Sequence, residues 1–174
     1  RRGEFNIAEN YFRKAIERLT RRNPNPYDGE AYYHLGLVLR FLNREEEAYD
    51  ALYKSVWNMA WQSAGYHALA EIDAKRKDWS RALEHLNLSL RMNTENLRAR
   101  NLKVMVLKKM GNTQDAEKTL QETRQFDRLD LSIVTHDAVR SPGRHELDPF
   151  LHCLVNLPGA GRHLFPAFQA GHGH

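Results

Sequence analysis

The sequence predicts an all-α solenoid of stacked helical hairpins over residues 1–130, followed over 131–174 by an irregular tail rich in Pro, Gly and His. Three observations carry this. Ala8, Ala48, Ala82 and Ala116 are each followed four residues later by a large apolar side chain, namely Phe12, Leu52, Leu86 and Leu120, at spacings of 40, 34 and 34 residues. Each of these periods holds two helix-length apolar patterns around a short polar break. Composition also changes near residue 130: the last 44 residues hold six of the nine His and four of the six Pro but none of the Lys, and a segment broken by Pro142, Pro149, Pro158 and Pro166 cannot form a long helix.

The elements follow in chain order. Residues 3–20 carry one amphipathic helix, the second half of a hairpin. The first spacing exceeds 34 by six residues, and Arg21-Arg22-Asn23-Pro24-Asn25-Pro26 stands where a connection between helices is lengthened. Three full repeats are expected at 29–62, 63–96 and 97–130. In the first, Tyr32, Leu35, Gly36 and Leu39 share one helix face, Asn43-Arg44 breaks the pattern, and Ala48, Leu52 and Val56 resume it. In the second, Tyr66, Leu69 and Ala70 lead through Arg76-Lys77-Asp78 to Trp79, Ala82, Leu86 and Leu90. The third runs from Leu102, Met105, Val106 and Leu107 through Gly111-Asn112 to Ala116 and Leu120. Breaks are predicted near 21–28, 43–45, 60–62, 76–78, 92–96 and 111–113. Small residues, Gly36 or Ala70 on first helices and the periodic Ala on second helices, mark close helix approach, where a larger side chain would overpack the contact by about 1–3 kcal/mol.

Tyr32-x2-Leu35-Gly36-x2-Leu39 with Ala48-x3-Leu52, and Tyr66-x2-Leu69-Ala70 with Ala82-x3-Leu86, resemble the tetratricopeptide repeat (TPR) family in period and pattern. The departures are Asp73 in an apolar slot, Arg100 and Lys103 in apolar slots of the third repeat, and no closing Pro in any copy. More faintly, residues 23–33 and 57–62 are similar to the repeat array of large bacterial proteins with an N-terminal β-sandwich domain of unknown function, under which the chain is a fragment that begins in mid-repeat.

The resemblance implies a right-handed superhelix whose concave surface is lined by the first helices, and hence a scaffold that recognises a protein or peptide, or another domain of its parent chain, without catalysis. The groove-facing positions it implies are Tyr33, Leu37, Arg40 and Phe41, then His67, Glu71 and Lys75, then Arg98, Asn101, Met105 and Lys108. The rival reading is an accessory helical segment of a larger carbohydrate-active enzyme. A terminal-carboxylate clamp is not expected, because of the matching positions only Arg98 keeps the charge while Tyr33, Leu37, Ala68 and Leu102 fill the others.

Little else points to chemistry. Glu45-Glu46-Glu47 reads as favourable charge at a helix start. Asp73 is either a buried partner for Arg100 or His67, or a solvated residue on a rotated helix. Trp57, Trp61 and Trp79 read as inter-helix packing. In the tail, His136, His145, His152, His163, His172 and His174 lack the spacing of a metal site, and His152-Cys153 are neighbours that point different ways, so no cofactor and no metal are expected. The tail fails to continue the repeat and is either an unrelated cap or sequence foreign to the family. The net charge of +4 comes from interspersed charges, which argues against a nucleic-acid surface. No apolar run approaches the roughly 20 residues of a membrane span, so no membrane contact and a cytoplasmic location are expected.

Overall fold

The structure is a computed structural model, and it describes residues 3–24 and 26–126. Among these the only regular elements are helices: α1 (Phe5–Thr20), α2 (Glu30–Phe41), α3 (Glu45–Ser55), α4 (Met59–Lys75), α5 (Trp79–Met92), α6 (Leu97–Lys109) and α7 (Thr113–Phe126). Successive helices pack on one another, and α2/α3, α4/α5 and α6/α7 form hairpins, with α1 against α2. This is the all-α solenoid of helical hairpins that the periodicity predicts. The residues at 131–174, with their six histidines and Cys153, lie outside the described residues.

Every hairpin turns by the same device. Asn43, Lys77 and Gly111 each have φ near +60 to +80 (59°, 62° and 79°), and they stand 34 residues apart. In each turn the amide after this residue donates back to the first helix's last full turn, as Arg44 N to Leu39 O, Asp78 N to Asp73 O and Asn112 N to Leu107 O, all at 2.9 Å. The left-handed residue's own amide reaches Arg40 O, Ala74 O and Lys108 O respectively. This pair of bonds is the Schellman arrangement, which satisfies carbonyls orphaned at a helix end. Lys77 adopts without glycine's freedom a conformation that Gly111 reaches at no steric cost.

Helix starts use side chains where the sequence offers them. Asn58 accepts from Ala60 N, Asp78 from Arg81 N and Asn96 from Ala99 N. The Asn58 cap corrects one expected boundary: the break predicted near 60–62 lies before Met59, and α4 runs for 17 residues from there. Only Val56, Trp57 and Asn58 separate α3 from α4, because the Asn58 side chain caps the new helix at once.

Packing explains the small residues. A Cβ on Gly36 would sit 2.5 Å from Leu52 Cγ and 3.2 Å from Ala48 O, so α2 approaches α3 at the contact that the Ala48-x3-Leu52 pattern marks. A Cβ on Gly29 would meet Ser55 O at 2.5 Å, and one on Gly65 would meet Val56 Cγ1 at the same distance. Leu35, Leu39, Ala48, Leu52, Leu69 and Ile72 form the first core cluster across α2, α3 and α4; Ala70, Ala82, Leu86, Ala99, Leu102 and Val106 form the next; Val104, Leu107, Ala116 and Leu120 close the series. The first two clusters join neighbouring hairpins, and the third, within α6/α7, is packed against by Leu83 of α5, so the hairpins share their cores.

The two basic residues in apolar slots of the third repeat are accommodated by α7. Arg100 sits 3.7 Å from Glu122 with its guanidinium 4.4 Å from the Phe126 ring centroid, and burial holds the Lys103 ammonium below the ordinary lysine range while Glu122 pulls the other way. Asp73 is fully buried, and its partner is neither Arg100 nor His67. His85 Nδ1, on α5, lies 2.6 Å from Asp73 Oδ2. The Tyr66 ring stacks on the imidazole, and Tyr49 and Tyr53 of α3 approach it from the neighbouring hairpin. Burial first, and then the Asp73 carboxylate, push Tyr49 up to about 12.

Candidate peptide-binding face

The first helices α2, α4 and α6 supply one side of the stack, and the predicted groove residues divide there by environment. Tyr33, Arg40, His67, Glu71 and Arg98 form one electrostatic cluster. Arg40 Nη1 donates to Glu71 Oε2 at 2.6 Å, with side-chain exposures of 19% and 12%, and His67 Nε2 lies 3.8 Å from Glu71 Oε1. Burial lowers the His67 imidazole below its ordinary range; Glu71 opposes this, while Arg40 and Arg98 reinforce it. Burial and Glu71 raise the Tyr33 phenol, with Arg40 and Arg98 opposing. Arg98 therefore stands within electrostatic reach of both rings. It is exposed in the first turn of α6, where a positive charge opposes the helix dipole, and it makes no ion pair among the described residues.

An aromatic run flanks this cluster. Tyr33 stacks on Trp61 with ring centroids 4.9 Å apart, His34 meets Trp61 edge-on at 5.6 Å, and Phe12 of α1 stacks on His34 at 5.5 Å. Phe41 is exposed yet stacked on Phe5 at 4.7 Å. Trp61 and His34 are contributors that repeat phase alone did not mark: Trp61 lies in the α4 turn that the misplaced boundary excluded.

The remaining positions are less open. Leu37 is half-buried against the first core cluster, and Asn101 and Met105 are buried, so none of the three offers a free contact surface. Lys75 is exposed and paired with Glu45 at the start of α3. Lys108 is exposed in the last turn of α6. The acidic run at 45–47 does more than complement a helix start, because each member reaches another helix or turn: Glu45 to Lys75, Glu46 to Arg76 at 2.8 Å, and Glu47 to Arg44 and Arg13 at 2.7 and 3.0 Å.

The tryptophans do not share one role. Trp61 packs as described and Trp79 packs on the second core cluster, but Trp57 is 64% exposed. Trp57 lines a small open cavity of about 90 Å³ with Pro24, Pro26, Tyr32 and Lys54, in the lengthened connection between α1 and α2. Among the described residues no three His, Cys, Asp or Glu side chains converge as metal ligands, and no helix is long and apolar enough to cross a membrane.

Two crystal structures of MamA resemble this fold. One superposes with a TM-score of 0.60 at 18% identity, covering 76% of this chain and 78% of that one. The other gives 0.55 at 18% identity, covering 78% and 70%. No curated protein sequence matches the chain. Residues 29–56, which carry the Tyr32-x2-Leu35-Gly36 and Ala48-x3-Leu52 patterns and the Gly36–Leu52 contact, match the tetratricopeptide repeat family, so the α2/α3 hairpin is a TPR unit within a TPR-like solenoid.

Proposed function

We propose that this chain is a non-catalytic protein-interaction scaffold that binds an extended or helical peptide segment on the face of α2, α4 and α6. Arg98 carries the reading. An unpaired guanidinium held against the helix dipole, beside the Tyr33–Trp61 stack and the Arg40–Glu71 pair, has no evident role in folding, whereas a charged anchor next to aromatic surface suits a peptide ligand. Phe41 offers an apolar contact at one edge and Lys75 and Lys108 add rim charges, with Leu37, Asn101 and Met105 behind them as support.

The test is alanine substitution of Tyr33, Phe41 and Arg98, read against a partner recovered by pull-down and then measured with purified components. Each is expected to weaken binding by about 1 kcal/mol or more, the scale of an interface hot spot, with thermal unfolding barely changed for Phe41 and Arg98. Glu84→Ala, on the exposed side of α5, is the control. Variants that stay folded and bind normally would remove the concave face from consideration; variants that unfold as badly as Leu35→Ala would make these side chains core.

A further inference from the structure

The cluster on the α2/α4/α6 face holds one group that changes charge near neutral pH. The His67 side chain is only 13% exposed and stands 3.8 Å from Glu71 Oε1, while the other Glu71 oxygen accepts from Arg40 at 2.6 Å. The charged groups that act on His67 come from three helices: Glu71 from its own helix, one turn on, Arg40 from α2 and Arg98 from α6. The Tyr33 phenol of α2 feels the same three. Two guanidinium groups against one carboxylate leave this site positive, and burial strips away the water that would solvate an imidazolium. His67 therefore stays neutral to a pH below its ordinary range, burial being the largest cause. Glu71 does not offset this, because its charge is already shared with Arg40.

Arg98 is the member of the cluster that a ligand reaches. It is exposed, and because its charge is felt by His67 of α4 and Tyr33 of α2, it lies on the side of α6 turned toward the middle of the stack. A negative group seated on Arg98 cancels part of the field that keeps a proton off His67. Such coupling is reciprocal: whatever makes the proton bind better once the anion is present makes the anion bind better once the proton is present. We propose that the ligand of this face, on the binding reading given above, presents an acidic side chain to Arg98, and that its binding is coupled to protonation of His67, so that the face holds acidic segments more tightly as pH falls.

The test follows the histidine resonances of the full chain by NMR as pH is lowered, in sodium sulfate and in sodium chloride at equal ionic strength. Sulfate keeps its charge throughout and stands for the acidic side chain. The His67 midpoint, assigned by through-bond spectra, is expected to lie about half a pH unit or more higher in sulfate, a proton held about threefold more tightly. Arg98→Ala, at an exposed position, should abolish that difference. No difference between the two salts, or the same difference in Arg98→Ala, would overturn the proposal. A partner recovered by pull-down should bind about threefold or more tightly at pH 5.5 than at pH 7.5, and His67→Gln should flatten that dependence. The two readings fail separately: a partner weakened by Arg98→Ala but bound equally at both pH values overturns the coupling alone, and one that Arg98→Ala does not weaken overturns the binding face itself.

Discussion

Two polar pairs within one helix, α4, are built to opposite ends. Asp73 faces inward and meets His85 under aromatic rings from α3 and α4, sealed from solvent. Glu71, two residues earlier, faces the other side and meets Arg40 with both groups still partly wet. A hydrogen-bonded carboxylate removed from water depends wholly on its partner, whereas one in contact with solvent can be rehydrated when its partner leaves. The first pair is therefore a structural commitment within the α4/α5 hairpin, and the second, which joins α2 of one hairpin to α4 of the next, keeps contact with water.

The largest expected effect tests the sealed pair. Asp73→Ala leaves His85 buried without its acceptor and should destabilise the chain by about 3–5 kcal/mol in urea unfolding. Asp73→Leu combined with His85→Leu should recover most of that loss, because two apolar residues leave nothing unpaired. If the single variant costs under 1 kcal/mol, the two pairs do not differ in the way their burial implies. Gly36→Ala supplies a purely steric reference: with its Cβ 2.5 Å from Leu52 Cγ, it should cost about 1–3 kcal/mol without any polar loss.

Weaker effects belong to the open side and to the turns. Glu71→Gln should cost only about 1 kcal/mol of stability, yet alter peptide affinity if the α2/α4/α6 face binds. Lys77→Gly should stabilise by about 1 kcal/mol, since it relieves the left-handed strain at φ 62°, while Gly111→Ala should do the reverse by a similar amount; thermal midpoints measure both. The smallest expected effect is a pH dependence. The folded His67 resists a proton that the unfolded chain accepts near its ordinary value of about 6.5, so its contribution to stability is full above that pH and declines as pH falls through and below it. Urea midpoints from pH 7.5 to 5.0 should show this decline, and His67→Gln should flatten it; an unchanged slope would mean that His67 is not the linked group.

Legibility from sequence followed the range of the interaction. The 34-residue period, the hairpin pairing and the small contact residues were all readable, because a helix face and a close crossing each impose a residue type at a fixed spacing; Gly36 against Leu52 is an instance. The start of α4 was not, because a single capping Asn58 outweighed the apolar phase, and that displaced Trp61 from the expected binding face. Asp73 was visible as an exception to its pattern, but its partner was not. His67, His85 and Arg100 follow or precede it by 6, 12 and 27 residues, so distance along the chain does not pick the partner, and only the packing of α5 on α4 selects among them.

By itself, then, the sequence determined the repeat, the turn positions and the residues too small to be replaced, since these depend on local periodicity and on contacts within one hairpin. Only the tertiary structure decided which side chains at the predicted groove positions remain open. Arg98 and Phe41 are exposed, Asn101 and Met105 are buried, and Arg40 is bound to Glu71, because the stacking of three first helices sets how far each side chain lies from water and from its neighbours' charges.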